Sequence, residues 1–281
     1  MTIVVTGAGG LTGGEIARRL VGQGKDVIAV SRREAGIAGA TSAIGDAGDP
    51  VFMAERLGGA DALVHVAGIL EGPRLARTPG FASMRRVVVM SSAGVYSKHR
   101  ASAALYLAGE RALADAFPRA LFLRPTMIYG SSRDRNIHHV IRFAHRFGVL
   151  PQIGDGHARL QPIHYEDLAA AAVALLSTDR SGTVDAGGAA PMALSALLRE
   201  VFAALERPAR VVRLPVTVTL LAARLVDLAG TRRMTERIER MSEERTVDNA
   251  GLAAAVGLRP RPFEQGVRDE VEAMRTDGTL A

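Results

Sequence analysis

The chain predicts a doubly wound α/β fold: a parallel sheet with helices on both faces, followed by a small C-terminal α/β lobe. Three observations carry that expectation. The opening stretch, MTIVVTGAGGLTGG, runs from a β-branched apolar segment through a glycine turn into a helical pattern. Short apolar runs then recur with helix-length segments between them, the alternation expected of parallel strands. The length of 281 residues, 48% of them hydrophobic, suits one large domain with a packed core. The expected organisation is a single domain over residues 1–281, with lobe segments drawn mainly from 131–164 and 189–281.

Composition narrows the function classes. Cysteine is absent, which excludes a disulfide framework, thiolate chemistry and Cys-ligated metal, and no metal-ligand cluster is expected. No basic segment followed by an apolar one precedes the first strand, which points to a cytoplasmic protein. The longest apolar stretch, Leu214 to Gly230, contains Arg224 and Asp227 and reads as a packed amphipathic helix, not a membrane span. The net charge of +6 raises nucleic acid as a partner. The arginines are scattered, however, and the densest run, Thr231 to Arg245, mixes both signs, with Glu236 and Arg240 four apart. With four Tyr, eight Phe and no Trp there are few platforms for stacking bases, so no nucleic acid is expected.

Taken in order, Thr2 to Val5 is the first strand, and Glu15 to Val21 a helix with Ile16, Leu20 and Val21 on one face. Between them lies Thr6-Gly7-Ala8-Gly9-Gly10-Leu11-Thr12-Gly13. Gly7 suits a tight turn, Gly10 lets backbone approach a pyrophosphate, and Gly13 lets the helix pack close to the strand. Leu11 and Thr12 open the helix, whose unpaired N–H groups face the phosphate. Strand, glycine turn and helix in this order form the context a dinucleotide site needs. Asp26 to Val30 is the second strand and ends in Ser31-Arg32-Arg33. An acidic residue there would bond the ribose of NAD. Arginine suits the 2′-phosphate of NADP, so NADP is expected ahead of NAD.

The turn TGAGGLTG is spaced G-x-x-G-x-x-G and resembles the fingerprint of the short-chain dehydrogenase/reductase superfamily, in its extended and atypical branches. The resemblance implies a Rossmann fold and gives the following segments a reading. Ala43 to Asp46 is a short third strand ending in the Gly-Asp that such proteins place near the adenine, with Asp46 and Ala47 as cofactor residues. Asp49-Pro50 starts a helix as N-cap and first residue. Asp61 to Gly68 is the fourth strand and its exit, similar to an H-x-A-A/G segment where Val66, Ala67 and Gly68 lie against the cofactor. His65 by itself reads as a packed or hydrogen-bonded histidine. From Ile69 to Met84 the chain departs from the pattern. Gly72-Pro73 and Thr78-Pro79-Gly80 punctuate a short connection, the usual long helix is shortened, and its Asn is missing.

Arg86 to Ser92 is the fifth strand and leads into Ser91-Ser92-Ala93-Gly94-Val95-Tyr96, close to the S-S-x-x-V-Y of extended members. The resemblance makes Ser91 a cofactor residue and Ser92 the group that hydrogen-bonds a substrate oxygen. The active pair of the superfamily is Tyr-x-x-x-Lys, in which the lysine lowers the tyrosine's pKa from its ordinary value of about 10 and holds the nicotinamide ribose. Here the helix reads Ser102-Ala-Ala-Leu-Tyr106-Leu-Ala-Gly-Glu110. In one register Ser102 takes the tyrosine slot and Tyr106 the lysine slot. In the other Tyr106 is the tyrosine and Glu110, of the wrong charge, replaces the lysine. The dyad is broken in both, and Tyr106 faces the nicotinamide end in both. Lys98-His99-Arg100 in the preceding loop is a further source of charge.

Ala120 to Gly130 resembles the L-R-P-x-x-x-Y-G strand and turn, with Pro125 at the nicotinamide amide, and Leu160 to Leu168 resembles Q-P-V-H-x-x-D-L, in which Asp167 reads as structural. Val184 to Gly188, Ala193 to Leu205 and Arg210 to Pro215 read as strand, helix and strand, and 246–249 and 257–263 as closing segments. The branch it resembles most includes proteins related to the accessory NAD(P)-binding subunit of respiratory complex I. Two functions follow from the resemblance: an NADP-dependent oxidoreductase or epimerase acting on a small polar or lipid-like molecule through Ser92 and Tyr106, or a cofactor-binding sensor or assembly subunit without turnover. Substrate identity and oligomeric state carry no sequence signal.

Overall fold

A computed structural model of the chain describes residues 1–134, 136–228, 235 and 243–280. Most of the charged run read between Thr231 and Arg245 therefore lies outside the described residues. The chain divides into two compact units. The first comprises residues 1–126, 163–187 and 247–260, and the second 127–162, 188–246 and 261–281.

The first unit is built on a seven-stranded sheet. Its strands are β1 (Thr2–Thr6), β2 (Asp26–Ser31), β3 (Thr41–Ile44), β4 (Ala62–His65), β5 (Arg86–Met90), β6 (Leu121–Pro125) and β7 (Gly182–Ala186). They lie side by side in the order β7-β6-β5-β4-β1-β2-β3, every pair parallel. The expected doubly wound sheet is present. Its order reverses between β1 and β4, where Val4 pairs with Ile28 on one side and Leu63 on the other. In open α/β sheets such a reversal opens a crevice beyond the carboxyl ends of the strands, where ligands bind. The central strands are apolar on both faces because helices cover both.

Helix α1 (Leu11–Gly22) packs against α6 (Tyr165–Leu176), with Ile16, Ala17 and Leu20 buried. The opposite face is covered by α2 (Pro50–Leu57), the four-residue α3 (Gly72–Leu75) and α4 (Arg100–Ala116), through Met53, Leu57, Leu75 and Leu113 against Val4, Leu63, Val87 and Phe122. Asp49 caps α2 by accepting from the N–H groups of Val51 and Phe52, with Pro50 in the first turn, as the sequence predicts. The shortened segment after β4 is a 3₁₀ turn (Ile69–Glu71) running into α3, with a second 3₁₀ turn (Phe81–Ser83) before β5. Two glycines seat it on α4. A Cβ on Gly109 would lie 2.2 Å from the carbonyl oxygen of Ile69, and one on Gly72 2.7 Å from that of Gly109. Backbone meets backbone where the usual long helix is missing.

The second unit packs α5 (Ile137–Phe147), α7 (Leu194–Ala204) and α10 (Phe263–Thr276) around Tyr129, Ile141, Phe202 and Val267. A parallel two-stranded ribbon joins Leu150–Ile153 to Val211–Leu214, and α8 (Val216–Leu228) follows it directly. Helix α9 (Ala250–Val256) returns to the first unit, against α6 and β7.

Candidate active site

The turn after β1 has the shape its glycines predict. Gly7 has φ of +70°, and a Cβ there would stand 2.9 Å from the backbone nitrogen of Ala67. Only glycine fits both the left-handed conformation and that approach. Gly10 N–H donates to the carbonyl of Gly7 at 2.8 Å and closes the turn. A Cβ on Gly13 would lie 2.3 Å from the same carbonyl oxygen, so α1 starts in contact with the turn. Gly9 and Gly10 are exposed, no side chain caps α1, and no carboxylate stands in its first turn. Its free N–H groups thus meet solvent at the carboxyl end of the sheet, which is how a helix start receives an anion. Thr12 is buried beside them and Leu11 half-buried. The residues present fit a dinucleotide phosphate.

Around the turn lie the other expected cofactor residues. A Cβ on Gly9 would stand 3.3 Å from Ser31, whose hydroxyl donates to the carbonyl of Arg33. Arg32 and Arg33 are exposed, and neither makes an ion pair among the described residues. Asp46 is exposed and accepts from Gly48 N–H at 2.9 Å, while Ala47 beside it is buried. Pro125, at the end of β6, is also buried.

His65 organises the exit of β4. Its Nδ1 lies 2.9 Å from Thr6 Oγ1 and its Nε2 3.0 Å from the carbonyl of Gly68. Thr6 Oγ1 also accepts from the N–H groups of Val66 and Ala67. The threonine therefore donates to Nδ1, and Nε2–H donates to Gly68, which assigns one neutral tautomer. Burial pushes the imidazole down to about 4, with the Gly68 bond opposing. His65 is a structural clamp, in keeping with its reading from sequence, and it holds Gly68 at φ +130°.

At the end of β5, Ser92 Oγ accepts from Gly94 N–H at 3.0 Å, which leaves its O–H free to donate. Tyr106 on α4 comes to the same place. A Cβ on Gly94 would lie 2.7 Å from Tyr106 Cε2 and 3.1 Å from Ser92 Oγ. Gly94, lacking a side chain, thus lies between the ring and the serine hydroxyl. Ser102 is half-buried one turn earlier. Glu110 points inward. It is 6% exposed, and its carboxylate accepts from Ser91 Oγ at 2.5 Å and from Arg124 Nε and Nη2 at 2.9 and 2.6 Å. Both Ser91 and Glu110 are engaged in this buried bond set, and no cation follows Tyr106 by one turn.

A second network was not visible in sequence. Arg124 Nη1 donates to the hydroxyl of Tyr96 at 2.8 Å, and that hydroxyl donates to Asp185, 3.0 Å from each carboxylate oxygen. Burial raises the pKa of both Tyr96 and Asp185, while Arg124 works against the rise in each. The chain Ser91–Glu110–Arg124–Tyr96–Asp185 ties together the carboxyl ends of β5, β6 and β7. Tyr96 and Arg124 stood in the quoted motifs, but Asp185 is 89 residues from Tyr96, and no spacing pattern links them. Among the described residues no group of three His, Asp or Glu side chains is arranged to hold a metal ion.

Residues 3–91, from β1 to the end of β5, match the NAD dependent epimerase/dehydratase family. Over that segment the chain is similar to the epimerase/dehydratase family. The resemblance read from the glycine turn is borne out over that segment, which holds the whole nucleotide-binding half of the sheet. The chain is 28% identical over 249 residues to a ceramide reductase of Caulobacter vibrioides (strain NA1000 / CB15N), covering 80% of this chain and 77% of that protein. It is 33% identical over 111 residues to the mitochondrial NADH dehydrogenase [ubiquinone] 1 alpha subcomplex subunit 9 of Arabidopsis thaliana; the match spans 38% of this chain and about a quarter, 27%, of that subunit. Among solved structures, UDP-glucuronic acid 4-epimerase from Bacillus cereus, in complex with UDP-glucuronic acid and NAD, superposes with a TM-score of 0.77 at 15% identity, covering 98% of this chain and 99% of the other. At that identity the likeness is one of fold.

Proposed function

We propose that this protein is an NADP(H)-dependent oxidoreductase acting at a carbonyl or alcohol carbon of a lipid-like molecule. The observation that carries the cofactor reading is the phosphate-ready turn, Gly7 to Gly13, with Arg32 and Arg33 exposed and unpaired at the end of β2. The lipid-like substrate rests on the ceramide reductase relative, which spans most of both chains. A bound nicotinamide supplies or takes up a hydride, two electrons and a proton, at the substrate carbon. Gly7, Gly10 and Gly13 with the first turn of α1 would hold the pyrophosphate, and the two arginines the 2′-phosphate. Ser92, its oxygen already accepting from Gly94, would donate its O–H to the substrate oxygen. Tyr106 would give that oxygen its proton in reduction and recover it from solvent. Ser91 and Glu110 would keep the ends of β5 and β6 in register beneath them. The same reading keeps the protein in the cytoplasm.

Fluorescence titration with NADPH and NADH tests the first part. Tighter binding of NADPH is expected, and Arg32→Ala with Arg33→Ala should weaken NADPH by about 10- to 100-fold, the scale of one full charge-assisted bond because both arginines stand in solvent, with little effect on NADH. Cofactor absorbance followed with a panel of long-chain ketones, including a ceramide-type ketone, tests the second. Turnover that falls in Ser92→Ala and Tyr106→Phe at unchanged NADPH affinity supports the assignment. Tight binding without turnover on any of them sinks the enzyme reading and leaves a cofactor-binding protein. Binding of neither nucleotide removes both.

A further inference from the structure

The ribbon strand Val211–Leu214 and the start of α8 present an apolar surface to solvent. Val212, Leu214, Val216, Val218 and Leu221 are 52%, 37%, 36%, 62% and 61% exposed. These five side chains follow one another within ten residues, and the turn at Pro215 holds strand and helix together: Thr219 Oγ1 donates to the Pro215 carbonyl at 2.9 Å, and Gly154 N–H to that of Leu214. A cluster of this kind on a soluble face marks an interaction site, whereas a scattered exposed leucine marks nothing.

The charge around it selects the partner. From Arg207 to Val226 the sequence has no Asp or Glu, and its four charged residues are all arginine. Arg207, Arg210, Arg213 and Arg224 are all exposed. Arg210, Arg213 and Arg224 have no carboxylate partner among the described residues. Along this exposed strand Arg213 alternates with Val212 and Leu214, so cationic and apolar side chains follow one another on it. A second copy of this chain, brought up about a two-fold axis, would set these like charges against each other, which opposes association. An anionic lipid surface complements both features. The aliphatic side chains enter the acyl boundary, and the guanidinium groups stay at headgroup level on their apolar stems.

We propose that Val212–Leu221, with Arg210, Arg213 and Arg224, docks the protein on an anionic bilayer. This deepens the reading above, because it gives an enzyme of lipid-like molecules a route to a substrate that stays in the membrane, and it rests on that reading for its purpose though not for its observations. No helix among the described residues is long and apolar enough to cross a membrane, so the attachment is peripheral and reversible.

Co-sedimentation of the full chain with vesicles of phosphatidylcholine alone, or mixed with phosphatidylglycerol, tests it. Binding to the mixed vesicles is expected, weakened by salt, with little binding to phosphatidylcholine. Each of Arg210→Gln, Arg213→Gln and Arg224→Gln should lower affinity by about fivefold. Val218→Asp with Leu221→Asp should abolish it while leaving circular dichroism and NADPH binding unchanged, since both side chains face solvent. No sedimentation with mixed vesicles, sedimentation indifferent to these substitutions, or a dimer that the Asp pair converts to monomer would each overturn the proposal. Turnover of a detergent-dispersed ketone without vesicle binding leaves the reductase reading intact and removes only the docking surface. Vesicle binding without turnover does the reverse.

Discussion

At Gly13 one hydrogen atom decides whether α1 can begin where it does. A methyl group there would overlap the Gly7 carbonyl oxygen at 2.3 Å, a backbone atom that cannot swing aside. Gly13→Ala is expected to destabilise the chain by about 1–3 kcal/mol, the range of overpacking, and to weaken NADPH binding because the turn must shift. Urea denaturation and nucleotide titration on the same variant check both effects. His65 makes a different prediction. The unfolded imidazole takes a proton near pH 6.5, but the buried one resists to about 4. Its contribution to stability is therefore complete above pH 6.5 and declines as pH falls toward 4. Between pH 7.5 and pH 5 that amounts to about 2 kcal/mol. Denaturant midpoints at the two pH values should show the loss in the parent chain and a smaller one in His65→Gln. The glycine turn was legible because its determinants are local. The histidine was legible only as an ambiguous residue, since its tautomer depends on Thr6, on a different strand.

Helix α4 shows what an element adds to its residues. The spacing of 102, 106 and 110 on one side of the helix was readable, but what each position meets was not. Glu110 turns inward to Arg124 on β6 and Ser91 on β5, while Tyr106, one turn earlier, reaches Gly94 beside Ser92. The sequence left two registers for this helix. In the fold the carboxylate at 110 is occupied by a buried ion pair, so it neither stands in for the missing lysine nor opposes a charge at Tyr106. The Glu110 and Arg124 side chains are 8% and 12% exposed. Removing one partner leaves the other charge buried, which costs about 3–5 kcal/mol. Glu110→Gln should lose stability on that scale, and a double-mutant cycle with Arg124→Met should recover part of it, read from equilibrium unfolding. If the two losses simply add, the pair is not coupled as its geometry requires.

Across the whole molecule the two units carry opposite responses to pH. In the second unit Glu270 is fully buried, accepts from Gly130 N–H at 3.1 Å, and stands beside the carboxylate of Asp134. Burial above all, then the Asp134 charge, pushes its pKa up to about 10. The unfolded carboxyl releases its proton near 4.5, so this contribution is complete below that pH and is lost as pH rises toward 10. Glu270→Gln, which keeps an amide donor toward Asp134 and cannot ionise, should therefore be the more stable protein at pH 9 and gain far less at pH 5. Thermal melts of both proteins at the two pH values check this. A parent chain that is equally stable at pH 5 and pH 9 relative to the variant would show that Glu270 does not stay protonated.

By itself the sequence determined the sheet, the glycine turn and the basic end of β2. Each depends on residues adjacent in the chain and on backbone rules that hold wherever the segment sits. The tertiary structure alone decided the fate of Glu110, the partnership of Tyr96 with Asp185, and the carboxyl pair of Asp134 and Glu270. Those groups lie 14, 89 or more residues from the partners that set their charge and hydrogen bonding. A side chain's chemistry is fixed by what is folded against it, and only the assembled strands bring those partners together.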